Sequence, residues 1–201
     1  MSNSPTSIVN FFAVLGEEPR VWLEAETLKE KFHRLGAVQH PDRAGGSSEQ
    51  FSRLNEAYRV LSDPALRLRH FIGLRFPDYA AQTSSATPAD YADLFMEIGR
   101  LQQQLRQFRE RETAAQSPLA RALLISEKAG LRGRLQAALQ SVLARREELH
   151  TELQKLDATQ PPLMDDPDLP PRLTAMATRL TILGRWSGQL REAIFTLGLD
   201  S

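Results

Sequence analysis

Along most of the chain, apolar residues recur three and four positions apart, and short runs rich in Gly, Pro, Ser and Asp interrupt them. That period puts side chains on one face of an α-helix, and the strict alternation of a half-buried strand is absent. The pattern predicts an all-α protein. A short first helix covers residues 8–15. A second runs over about 24–38, with Leu28, Phe32 and Leu35 on one face. A third covers about 48–61, with Phe51, Leu54, Tyr58 and Leu61 aligned. Ser47 or Ser48 can cap it, and Glu49 adds a favourable charge to its first turn. A fourth starts after Asp63, with Pro64 at its first position and Leu66, His70 and Leu74 spaced by four.

Beyond the run from Phe76 to Pro88, the helices lengthen. One is expected from about Pro88 to Arg111, striped by Tyr91, Leu94, Ile98, Leu101, Leu105 and Phe108. The next runs from about Ser117 to Leu156. Its later half carries Leu135, Leu139, Val142, Leu149, Leu153 and Leu156. Gly130 and Gly133 weaken it by roughly 1 kcal/mol each relative to Ala, enough to allow a bend. The last covers about Leu169 to Leu197, with Leu173, Met176, Leu180, Leu183, Leu190, Ile194 and Leu197. Three striped helices joined by turns predict an antiparallel three-helix bundle. The expected organisation is one domain over 1–76, a linker over 77–87 and a helical bundle over 88–201.

Composition narrows the function classes. Lys plus Arg number 25 and Asp plus Glu number 25, so bulk attraction to nucleic acid or anionic lipid does not organise this chain. Cysteine is absent, which removes disulfides, thiolate metal sites and a cysteine nucleophile. The apolar run Ile8 to Leu15 is broken by Asn10, is too short to span a bilayer and lacks a basic leader. The expected location is the cytoplasm.

The most specific local feature is His40-Pro41-Asp42. Proline disfavours the helical region for the residue before it, so the second helix must stop at His40. Asp42 then stands in a loop between two helices with its carboxylate free for a partner. By itself the tripeptide also fits a plain helix-ending turn. Its context carries more. Lys29-Glu30-Lys31-Phe32-His33-Arg34-Leu35 precedes it. Gly45-Gly46 and then Phe51-Ser52-Arg53-Leu54-Asn55-Glu56-Ala57-Tyr58-Arg59-Val60-Leu61-Ser62-Asp63-Pro64 follow. Over about residues 8–75 this order and spacing resemble the J-domain of DnaJ-type co-chaperones.

The resemblance implies an antiparallel helical hairpin with the tripeptide at its tip, and stimulation of ATP hydrolysis by a DnaK-type chaperone. It implies that Asp42 engages an arginine on the chaperone, a charge-assisted hydrogen bond, while His40 and Pro41 shape the loop. Lys29, Lys31, Arg34 and Arg43 are the basic residues expected to meet an acidic chaperone surface. A solvated helix face is the other reading of the first three. The family usually carries more basic residues and an aromatic where this chain has Gly36-Ala37-Val38-Gln39, and a lysine where it has Arg43.

Three further segments resemble the HscB co-chaperones of iron–sulfur cluster assembly. These are Asn10-Phe11-Phe12-Ala13-Val14-Leu15-Gly16, Leu94-Phe95-Met96-Glu97-Ile98 with Leu101, and Arg179-Leu180-Thr181-Ile182-Leu183-Gly184-Arg185. If Leu94, Ile98, Leu101 and Leu105 face a core, Met96 falls on the opposite side and Phe95 on the flank. The resemblance implies that this side meets an iron–sulfur scaffold protein. The candidate residues are Phe95, Met96, Glu97, Arg100 and Gln103, with Ile182 completing the patch. Where the family carries acids, this chain has Arg100, Gln103 and Gln107. The alternative is that Phe95 and Met96 pack against another part of the chain.

No catalytic residue, cofactor or metal site is expected. His33, His40 and Asp42 are poorly spaced as metal ligands, and His70 and His150 read as lone helix-face histidines. No phosphate loop, serine elbow or Rossmann fingerprint occurs. The leading expectation is a co-chaperone that stimulates a DnaK/HscA-type chaperone and presents an iron–sulfur scaffold to it. The alternatives are a J-domain adaptor for another client, or a helical interaction protein with a degenerate J-domain.

Overall fold

The computed structural model describes residues 9–40, 47–79, 88–159 and 166–199. All regular elements among them are helical: α1 (Phe11–Val14), α2 (Ala25–Gln39), α3 (Ser48–Ser62), α4 (Pro64–Arg75), α5 (Ala92–Ala114), α6 (Pro118–Ala158) and α7 (Leu169–Leu199), with short 3₁₀ turns at Pro77–Tyr79 and Ala89–Tyr91. The all-α expectation holds.

Local chemistry fixes the helix ends. The Asn10 side chain accepts from the Ala13 N–H, and Gly16 closes the turn after α1 at φ 65, a left-handed conformation that glycine adopts without strain. The Glu24 carboxylate caps α2, accepting from the N–H groups of Glu26 (3.2 Å) and Thr27 (2.6 Å). Those donors hold it below the ordinary carboxylate range. The other end of α2 stops at Gln39, and His40 is extended at ψ 134, as the following proline demands. Ser47 caps α3 through the Gln50 N–H, and Asp63 caps α4 through the N–H groups of Ala65 and Leu66, with Pro64 at the first position.

By contacts, the chain divides into two compact units. The first comprises residues 1–84 with 150–178, the second 85–149 with 179–201. In the first, α2 and α3 pack together. Phe32 stacks on Tyr58, a Cβ at Gly36 would lie 3.8 Å from Phe51 and 3.9 Å from Leu54, and His40 meets Phe51 edge-on. As numbers rise on α2 they fall on α3, so the pair is an antiparallel hairpin. Phe12, Leu28, Leu54, Leu61, Leu68 and Phe71 are buried beside it, as are Leu153, Leu156, Leu173 and Met176. Each buried side chain of this size contributes about 2 kcal/mol.

The buried residues of α4 are Ala65, Arg67, Leu68, Phe71 and Ile72. The expected stripe of Leu66, His70 and Leu74 is only half-buried. With apolar residues on every side of this helix, spacing by four alone did not select the inward face.

In the second unit, Ile98, Leu101, Leu105 and Phe108 of α5 are buried, as are Leu131, Leu135, Ala138 and Val142 of α6 and Leu183, Trp186 and Leu190 of α7. Gln102 pairs with Gln189 and Arg109 with Thr196, so α5 and α7 run parallel. The short link from Ala114 to Pro118 folds α6 back antiparallel to α5, and Arg111–Glu127 and Lys128–Glu112 join the two helices beside that turn. α6 continues as one helix through Gly130 and Gly133.

Candidate functional site

The hairpin end opposite the start of α2 is where the sequence places its chemistry. His40 lies there, with its ring 5.3 Å from that of Phe51, which fixes the point at which the chain leaves α2. Pro41, Asp42 and Arg43 lie outside the described residues.

The three expected bases of α2 have different surroundings. Lys29 is exposed and 3.6 Å from Glu26 on its own helix. Lys31 is partly covered, and its Nζ donates to Glu17 at 2.5 Å, which ties α2 to the segment after α1. Arg34 is exposed and makes no ion pair among the described residues. Two of the three charges are thus locally compensated. Val38, two residues before His40, is 66% exposed, beside the exposed His33 and Arg34.

Behind the hairpin is a set of polar contacts that the sequence did not reveal. The Phe11 N–H donates to His70 Nε2 at 3.0 Å, and the imidazole stacks on Phe12. Burial holds His70 below its ordinary value. His70 is therefore not a lone surface histidine. Arg67, 3% exposed, donates to the Leu61 carbonyl at 2.7 Å and the Val21 carbonyl at 3.3 Å, and its guanidinium lies over the Trp22 ring. Desolvation lowers it to about 10. The buried Asp157 carboxylate accepts from the Arg20 guanidinium and from the Trp22 N–H. Charged residues at 20, 67 and 157 carry no sequence signal of their proximity, because their spacing is long and irregular.

On α5 of the second unit, Phe95 and Met96 are 48% and 53% exposed, and Glu97, Arg100 and Gln103 are exposed alongside. Phe95 leans on the buried Trp186, 6.1 Å between ring centroids, and Trp186 also neighbours Tyr91. The expected inward stripe holds for Ile98, Leu101 and Leu105, while Leu94 is half-buried. Ile182 is a correction. It is 7% exposed and points away from solvent, so it adds nothing to this surface. No three potential ligands among His, Cys, Asp and Glu gather to hold a metal among the described residues. None of the described helices is long and apolar enough to cross a membrane.

Residues 10–70 match the DnaJ domain family. The chain is 37% identical over 68 residues to adaptation to cold protein J of Shewanella oneidensis, covering 30% of this chain and 70% of that protein. It is 26% identical over 155 residues to the co-chaperone protein HscB homolog of Bordetella avium, covering 73% of this chain and 87% of that one. The structure of the chaperone HscB from Vibrio cholerae shares the fold, with a TM-score of 0.55 at 17% identity, over 94% of this chain and 99% of that one. Full-length DnaJ chaperones match over no more than 20% of their length. Hairpin, tripeptide and helical second unit together define a J-domain protein. Within that class, the chain is similar to the HscB co-chaperones along most of its length.

Proposed function

We propose that this chain stimulates the ATPase of a DnaK/HscA-type chaperone in the cytoplasm and presents an iron–sulfur scaffold protein to it. The observation that carries the reading is the antiparallel α2–α3 hairpin, with His40 extended and seated against Phe51 immediately before Pro41-Asp42. On this reading the Asp42 carboxylate reaches an arginine of the chaperone's ATPase domain and biases that domain toward hydrolysis. A charge-assisted bond of this kind is short and about twice as strong as a neutral one. The hydrolytic chemistry belongs to the chaperone, and this chain supplies no catalytic group. Arg34 and Arg43 give the approach a positive sign. Lys29 and Lys31 add less, because each already faces a carboxylate.

The scaffold docks on the Phe95–Met96 surface, where about half of each apolar side chain is open to a partner. Arg100, Gln103 and Gln107 favour a second reading at this surface alone: a J-domain adaptor whose client is some other protein with a different charge pattern.

Single-turnover hydrolysis by the chaperone, measured with and without the chain, tests the first claim. Asp42→Asn abolishes stimulation while leaving scaffold binding intact. Met96→Glu does the reverse. Equal stimulation by wild type and Asp42→Asn refutes the mechanism. Scaffold binding that is absent in wild type selects the second reading.

A further inference from the structure

A groove lies between the end of α5 and the first turns of α6, in the second unit. Leu124 and Ile125 are its apolar part, and Arg109, Glu112, Arg121 and Lys128 line the rest. Ile125 is 69% exposed on the groove, while Leu119 and Leu123, also about 70% exposed, stand one turn apart on another face of α6. Scattered single exposures are ordinary, but an exposed large apolar side chain on the wall of a concave surface, next to a second apolar residue, marks an interaction site.

The charges of the groove indicate what enters it. Lys128 is answered by Glu112 at 3.4 Å. Arg109 donates to the Thr196 hydroxyl at 2.5 Å, and Arg121 donates to the Ala115 carbonyl at 3.2 Å. These acceptors are neutral, and neither guanidinium meets a carboxylate among the described residues. An apolar floor with two uncompensated cations complements a ligand that is apolar on one side and acidic along its edges. A concave surface between two helices accepts the ridge of a third. An anionic membrane fits less well, because the chain has no net charge and Glu112 is part of the lining.

We propose that this groove binds an acidic amphipathic helix of a partner protein, with apolar side chains against Leu124 and Ile125 and carboxylates on Arg109 and Arg121. The site is separate from the surface assigned to the scaffold. Phe95 and Arg109 are 14 positions apart on α5, about 21 Å of helix. The proposal therefore stands or falls independently of the chaperone mechanism.

Fluorescence anisotropy on the full chain tests it with two labelled helical peptides of about 16 residues, sharing one leucine face. One is flanked by glutamate and the other by lysine. The glutamate peptide binds at least about tenfold more tightly than the lysine peptide, and added salt narrows the gap. Ile125→Asp weakens binding of the glutamate peptide about tenfold. Replacing both Arg109 and Arg121 by alanine removes the preference for glutamate while leakage of apolar binding through the floor persists. These side chains are exposed, so the helical circular dichroism and melting of the variants match wild type. Equal binding of the two peptides, no binding of the glutamate peptide, or insensitivity to Ile125→Asp overturns the proposal. So does preferential binding to phosphatidylserine vesicles, or self-association that Ile125→Asp abolishes; these outcomes assign the groove to lipid or to a second copy of the chain.

Discussion

At His70 a single ring nitrogen carries part of the hold on α1. It accepts the Phe11 N–H, which only the neutral imidazole can do. Burial depresses the folded value below 6.5, so the unfolded chain takes up the proton first as pH falls. The contribution is complete above about pH 6.5 and is lost as pH drops through the folded value. Chemical denaturation between pH 8 and pH 5 shows this as a falling midpoint in wild type. In His70→Gln that part of the slope disappears. Asp157 is the second residue with a local job. Asp157→Ala leaves the Trp22 N–H and the Arg20 guanidinium without their acceptor, and costs about 2 kcal/mol in an urea melt. Asp157→Asn recovers part of the loss by keeping one acceptor oxygen. Neither role could be read from sequence. A buried histidine or aspartate looks the same as a solvated one until its partner, 59 or 137 residues away, is known.

Among the elements, the helix ends were the most legible features. Ser47, Asp63, Pro64 and His40-Pro41 act through their own backbone neighbours, so local chemistry decides them. The inward faces of α5, α6 and α7 largely follow from their period, while on α3 the expected Phe51 and Tyr58 are half-buried and Ala57 and Val60 are buried instead. On α4 the period was ambiguous, and the burial of Arg67 depends on two carbonyls and an indole contributed by other segments. The site was legible to the same extent. The exposure of Phe95 and Met96 followed from helical angle, whereas the burial of Ile182 required the packing of α7. The glycines of α6 give a test at this scale. A Cβ at Gly133 would meet nothing within 4 Å, and the backbone is already helical. Gly133→Ala therefore stabilises the chain by about 0.5–1 kcal/mol, seen as a higher melting temperature with partner binding unchanged.

At the scale of the whole molecule, the long helices belong to more than one body. Residues 150–158 of α6 and the start of α7 group with the J-domain hairpin, and the rest of both helices groups with α5. The J-domain is thus embedded in a larger unit that recruits Leu153, Leu156, Leu173 and Met176 from far along the chain. Sequence boundaries drawn at the linker could not include them, because breakers mark where the chain turns and not what its helices later pack against.

The chain has two tryptophans, and each unit holds one of them: Trp22 beside the Arg67 guanidinium, Trp186 behind Phe95. Each unit therefore carries its own optical reporter. In Trp22→Phe the remaining indole emission shifts when a protein covers Phe95 and stays constant when the chaperone engages the hairpin. In Trp186→Phe, loss of emission from Trp22 on heating times the melting of the first unit alone. A single cuvette can thus watch the two bodies separately, without attaching any dye.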